Sequence, residues 1–80
     1  MRDIVMSDTC CAALVAAPSE IQKLFGKQIA HLLDNPRHPS LQAKKFDGAR
    51  WQARINDDWR LYYRPNGKTL ILLDLIPHPK

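Results

Sequence analysis

The chain predicts an α+β fold: a small, antiparallel-rich β-sheet with an N-terminal α-helical hairpin packed on one face, in the order β-α-α-β-β-β. Three observations predict it. Residues 51–64, WQARINDDWRLYYR, alternate apolar and polar on either side of a polar turn, the pattern of a half-buried β-hairpin. Ile21, Leu24, Phe25, Ile29, Leu32 and Leu33 recur at i, i+3, i+4 spacing, the stripe of an amphipathic helix. Residues 69–75, TLILLDL, are almost wholly apolar and rich in β-formers, as expected of a strand covered on at least one face.

The elements follow in order. Residues 2–6 suit a short edge strand. Ser7 or Asp8 can cap a first helix running through Cys10, Ala13, Leu14 and Val15 to about Ala17, its alanines fitted to close packing. Pro18 interrupts, and Ser19-Glu20-Ile21-Gln22 has the S-x-x-Q form of a capping box for a second helix. Gly26 lies inside that helix at a cost of about 1 kcal/mol relative to alanine. Asp34-Asn35-Pro36 ends it, so the two helices form an antiparallel pair. Residues 37–48 are a polar connector with a turn at His38-Pro39 and a short strand at Lys44-Lys45-Phe46. After the hairpin, Pro65-Asn66-Gly67-Lys68 turns the chain into the last strand, which Pro77 and Pro79 stop.

The hairpin carries the functional signal. With Asn56-Asp57-Asp58 as the turn, Ile55 faces Trp59, Arg54 faces Arg60, and Trp51 faces Tyr63. This register gathers the apolar residues on one side, whereas a slip by one would expose them. It also sets two arginines directly across from each other, which costs stability unless something anionic lies between them. Guanidinium groups stay charged and offer paired planar donors, so phosphate is a natural guest. Gln52, Arg54, Arg60, Tyr62 and Arg64 thus make a basic sheet face suited to nucleic acid. Asp57, Asp58 and Asp74 are the carboxylates that could instead pair with Arg54 and Arg60. Trp51, Trp59, Tyr63 and Phe46 read as core, Tyr62 as a side chain able to stack on a base, His31 as a flank of the second helix, and His38 as a turn former.

The totals bound the class. Eighty residues make one domain, 1–80, near the lower limit for a self-sufficient core. No apolar run approaches the roughly 20 residues needed to span a bilayer, and MRDIVMSD lacks the apolar region of a signal peptide. A cytoplasmic location without membrane contact is expected. Cys10 and Cys11 are adjacent, a poor geometry for a mutual disulfide, and read as free thiols in a reducing compartment. His31, His38 and His78 lack ligand-like spacing, so neither metal nor cofactor is expected. The net charge of +4 is unevenly placed. Residues 1–36 carry three cations against four carboxylates, and residues 37–80 nine against four. The second half therefore favours an anionic partner.

This order of elements, with NPRHPSLQAKKFDG after the second helix, WQARINDDWRLYYR in the hairpin and TLILLDLIPH at the end, resembles the RelE/ParE toxin superfamily of bacterial type II toxin–antitoxin modules over essentially the whole chain. The resemblance implies a RelE-like, ribosome-dependent endoribonuclease that cleaves mRNA and inhibits translation. A ParE-like gyrase inhibitor and a non-catalytic RelE-fold binding protein are the alternatives. In RelE-like chemistry the RNA 2′-hydroxyl attacks the adjacent phosphate without a metal. Such a reaction needs charge stabilisation at the phosphorane, removal of the 2′ proton, and a proton for the leaving 5′ oxygen. The resemblance implies catalytic roles for Arg54 and Arg60 at the phosphorane and for His78 as general acid. It implies RNA-backbone contacts for Lys44, Lys45, Arg50 and Arg64. Counted alternately along the last strand, His78 shares parity with Leu70, Leu72 and Asp74, and its side is expected to be that of Arg54 and Arg60. Many members carry a tyrosine after the terminal basic residue, some a glutamate in the connector, and many a lysine two residues before the strand arginine. Here those places hold Pro79-Lys80, no carboxylate between 37 and 45, and Gln52, which leaves the general base unassigned. The implied partners are a cognate antitoxin in a hetero-oligomer, the ribosome and mRNA.

Overall fold

Two helices lie against one face of a five-stranded mixed sheet whose strand order is β1-β5-β4-β3-β2. The computed structural model describes residues 2–77. Along the chain run β1 (Asp3–Met6), α1 (Asp8–Ala16), α2 (Ser19–Asp34), a 3-10 turn (Pro39–Leu41), β2 (Lys44–Lys45), β3 (Trp51–Arg54), β4 (Trp59–Asn66) and β5 (Thr69–Pro77). The expected order is present, and among the described residues the one parallel pairing is β1 with β5.

The core follows from the two periodicities. Ile21, Phe25 and Leu32 of α2 and Cys10 of α1 meet Ala53, Ile55, Leu61, Tyr63, Leu70, Leu72 and Leu75 from the sheet. Trp51 and Trp59 pack at the margin of this cluster, as their parity with the apolar face requires. α1 differs from α2 in being apolar all round, with Cys11, Ala12, Val15 and Ala16 turned outward.

Of the two helix starts, one departs from the sequence reading. Ser7 does cap α1, its hydroxyl accepting from the Cys10 N–H at 3.0 Å. Ser19, however, is already the first residue of α2, and Pro18 holds the cap position without a side-chain bond. The capping box is therefore not made. Gln22 instead donates from Nε2 to the carbonyls of Leu14 and Val15, at 3.0 and 3.4 Å, closing the end of α1 rather than the start of α2.

The last strand contains a break in phase. Tyr62 faces Asp74 and Tyr63 faces Leu72, so Leu73 is an extra residue in β5, a β-bulge. Below the bulge Leu70 and Leu72 enter the core, and above it Leu75 does. Asp74 and Ile76, opposite Tyr62 and Arg60, fall on the other face. Shared parity of Leu70, Leu72 and Asp74 was thus the wrong premise, since the bulge separates them. The bulge also leaves the Leu73 carbonyl to be satisfied, and the Ser7 hydroxyl donates to it at 2.8 Å. One side chain thereby caps a helix and closes a bulge. Ser7→Ala removes both bonds and is expected to cost about 1–2 kcal/mol in urea unfolding; an unchanged midpoint would show that water takes over both roles.

At the far end of β4, Pro65 and Asn66 are strand residues rather than turn residues, and the reversal narrows to Gly67-Lys68. Pro65 faces Leu70 beyond Trp51, the first residue of β3, where its missing N–H breaks no ladder with that strand. Gly67 supplies the positive φ of 61°. Both thiols are free, Cys10 buried and Cys11 exposed, and burial pushes the Cys10 thiol up to about 11. One thiol per native chain should react rapidly with a chromogenic disulfide reagent near pH 8, and two after denaturation. Two fast thiols in the native protein would contradict the burial of Cys10.

Candidate functional site

The sheet face turned away from the helices is built in three rows. The first is the arginine pair. β3 and β4 meet in the expected register, with Trp51 facing Tyr63, Gln52 facing Tyr62, Ala53 facing Leu61, and Arg54 facing Arg60. Ile55 closes the hairpin by donating its N–H to the Trp59 carbonyl at 3.1 Å. Asn56 shapes the loop, its Oδ1 accepting from the Asp58 and Trp59 N–H groups at 2.8 and 2.9 Å. Within this frame Arg60 Nη1 donates to the carbonyls of Asn56 and Trp59 at 2.5 and 3.0 Å. Arg54 Nη2 bonds the carboxylate of Asp57. The repulsion between facing cations is thus relieved in part from within, by a carboxylate and two carbonyls of the same loop. The Arg54–Asp57 pair is solvent-facing on its acidic side, so it contributes little to stability and can be exchanged for a stronger anion.

The second row holds Lys44, Gln52, Tyr62 and Asp74. Gln52 and Tyr62 are buried despite facing away from the helices. Asp74 turns its Oδ1 to the N–H of Leu75 at 2.8 Å. Lys44 is exposed.

The third row lies where β2 and β3 are joined. Phe46 and Asp47 both donate their N–H groups to the Arg50 carbonyl, at 2.8 and 3.3 Å. Asp47 accepts in return from the Arg50 N–H at 3.2 Å, and from its Nε and Nη2 at 2.9 and 2.6 Å. These bonds hold the Asp47 carboxyl below the usual carboxylate range and push the Arg50 guanidinium up. The guanidinium carbon sits 5.1 Å from the Phe46 ring centroid and 6.0 Å from that of Tyr62. The two rings meet edge to face at 4.9 Å. Arg64 follows Arg60 and Tyr62 at strand period and is exposed.

Several sequence expectations shift. Lys45 faces Trp51 and so takes the helix side of the sheet, leaving Lys44 alone among that pair on the arginine face. Phe46 is no core residue but half exposed on that face. Tyr62, read as a possible base stacker, is covered. His78 lies outside the described residues. Gln28, which the sequence reading does not single out, is buried at the α2 position between Phe25 and Leu32. Its Nε2 donates to the carbonyls of Arg54 at 2.6 Å and Ser40 at 3.1 Å, and its Oε1 accepts from the Ser40 hydroxyl at 3.2 Å. A glutamine on an apolar helical stripe was the available signal.

The helix side carries a separate recess of about 650 Å³, lined by Arg2, Arg37, His38, Trp51, Tyr63 and Leu70 among others. His38 stacks on His31 with ring centroids 3.8 Å apart. Its Nδ1 accepts the Ser40 N–H at 3.1 Å and caps the 3-10 turn, the turn-forming role expected of it.

No protein-family model and no curated protein matches the chain by sequence. Solved structures do. YafQ from E. coli BL21(DE3) superposes with a TM-score of 0.81 at 18% identity, over 98% of this chain and 94% of its own. The RelE–RelB complex of Pyrococcus horikoshii OT3 gives 0.82 at 22% identity, over 95% of this chain and 93% of that one. A YoeB/ParE toxin from Agrobacterium tumefaciens gives 0.80 at 15% identity, over 96% and 99%. At these identities the likeness is one of architecture, and the chain has the RelE/ParE toxin fold.

Proposed function

We propose that the chain is the toxin of a type II toxin–antitoxin system, a single 1–80 domain that cleaves mRNA on the ribosome in the manner of RelE and so arrests translation. The observation that carries this reading is the in-register Arg54–Arg60 pair on the sheet face opposite the helices. A phosphate seated between the two guanidiniums gains two planar donor groups, and negative charge added at phosphorus in the transition state is stabilised more than the ground state. In the proposed step the 2′ oxygen attacks the adjacent phosphorus, and the bond to the 5′ oxygen breaks. That oxygen departs with a proton from His78. The products are a 2′,3′-cyclic phosphate and a 5′-hydroxyl end. Lys44 and Arg64 bind flanking phosphates, with Arg50 acting through the Phe46–Tyr62 cluster because Asp47 already neutralises it. Lys45, on the opposite face, drops out of this set. Among the described residues no side chain is assigned to the 2′ proton, which passes to bulk water as the oxygen attacks, and the ribosome is required to orient the attacking hydroxyl.

The partner in this reading is an antitoxin, as RelB is of RelE and DinJ of YafQ in the complexes whose toxins share this fold. The outward apolar face of α1 suits an amphipathic segment of that partner. The recess flanked by Arg2 and Arg37 suits an acidic one. The test is primer extension on a defined message translated in a purified system. Cuts phased with codons, present only with ribosomes, support the reading. Translation arrest with intact message would reject cleavage and favour a toxin that acts by protein binding.

A further inference from the structure

We propose that Phe46 is a stacking platform for a nucleobase of single-stranded RNA lying on the arginine face, at a nucleotide flanking the one that is cut. This inference rests on the nucleic-acid reading of that face and adds a contact to it. Phe46 is a large apolar side chain with half its surface exposed, next to the short edge strand β2 and beside Lys44, Gln52 and Tyr62 on the arginine face. It is not loose there. Its N–H is tied to the Arg50 carbonyl, its ring meets Tyr62 edge to face, and the Arg50 guanidinium lies against it. Arg50 is itself held by Asp47 through two side-chain bonds. The residues from Phe46 to Arg50 therefore form a clamp that spends its charge internally and presents a ring.

The placement gives the ring its role. Arg50 lies four residues from Arg54 along the extended chain, which at strand rise is about 14 Å. The ring opposite Arg50 is thus too far from the arginine pair to touch the reacting phosphate, yet close enough for a neighbouring nucleotide of the same strand. Exposed Lys44 and Arg64 border the way between them. An aromatic ring flanked by cations that track a backbone is how single strands are held without strict sequence choice. Phe46 would then act on binding and on the register of the cut, not on the chemistry at phosphorus.

The test uses fluorescence anisotropy of a labelled single-stranded RNA octamer at low salt, with wild type, Phe46→Ala, Phe46→Leu, Phe46→Trp and Arg60→Ala. Phe46→Ala and Phe46→Leu should weaken binding about five- to a hundred-fold, Phe46→Trp should retain it, and the salt dependence should stay at the wild-type slope. Arg60→Ala should instead flatten that slope by about one phosphate contact. An octamer with one abasic ribose at the platform position should bind wild type as weakly as the intact octamer binds Phe46→Ala, with no further loss when both changes are combined. Phe46 lies outside the core cluster, so the variants should keep the wild-type melting temperature. Phe46→Ala binding within twofold of wild type, while Arg60→Ala binds weakly, overturns the platform and leaves the nucleic-acid face standing. No binding of the octamer by wild type, or binding indifferent to both residues, overturns the two together.

Discussion

Arg60→Ala is expected to slow ribosome-dependent cleavage of a defined message by about two to three orders of magnitude, the usual consequence of removing one donor that stabilises charge in a transition state. Arg60 is the sharper test of the pair because of how each arginine is held. Arg54 is engaged by the Asp57 carboxylate and must exchange that partner for phosphate. Arg60 Nη1 is pinned by two loop carbonyls, from Asn56 and Trp59, which orient the guanidinium without occupying its remaining N–H groups. Little reorganisation is then needed when phosphate arrives. Arg60→Lys should recover only part of the rate, since an ammonium keeps the charge but loses the planar fork. Arg60 is only partly buried and lies outside the core, so urea unfolding should change little and the rate loss can be read as chemistry. Cleavage by Arg60→Ala within tenfold of wild type would mean that the facing arginines do not hold the reacting phosphate.

The arginine pair is legible in the sequence and its surroundings are not, for separate physical reasons. Both strands of the hairpin alternate cleanly, and Asn56-Asp57-Asp58 is too polar to be anything but a turn, so one register alone buries Trp51, Ala53, Ile55, Trp59, Leu61 and Tyr63 together. The last strand has no such signal. An unbroken apolar run carries no parity, and nothing in TLILLDL marks Leu73 as the residue the ladder skips. The pairing of β5 with β4 and the bond from Ser7, both distant in sequence, reveal it. The side taken by Asp74 and by the residues that follow was therefore not countable from Leu70. Phe46 reads as a core residue in the sequence for a related reason. A two-residue strand at a sheet edge has no period of its own, and aromatic residues default to the core when periodicity is silent. Charge alone groups Lys44 with Lys45, although adjacent strand residues point to opposite faces.

Gln28→Leu is expected to lower stability by about 2–4 kcal/mol, a loss large for a chain of this size, and to reduce cleavage beyond what the stability loss explains. The substitution fits the apolar stripe that Ile21, Phe25 and Leu32 define, so on burial alone it should be neutral or favourable. Its cost arises from what the amide now does. Nε2 serves the carbonyls of Arg54 and Ser40, and Oε1 receives the Ser40 hydroxyl. Leucine would leave part-buried carbonyls without their donor, each at about 1–3 kcal/mol. The carbonyl of Arg54 belongs to the last residue of β3, immediately before the hairpin loop. Gln28 is accordingly a positioning residue, through which α2 and the 3-10 turn fix the backbone from which the Arg54 side chain departs. Gln28→Glu keeps one contact and loses two: a carboxylate can still accept from the Ser40 hydroxyl but cannot donate to the carbonyls of Arg54 and Ser40. It should therefore misplace Arg54 while retaining one of the two bonds to the connector. In a double-mutant cycle the loss of cleavage from Gln28→Leu should largely vanish in an Arg54→Ala background and persist in an Arg60→Ala background. A urea midpoint unchanged from wild type, or losses that add equally in both backgrounds, would show that the arginine strand is held by its sheet pairing alone.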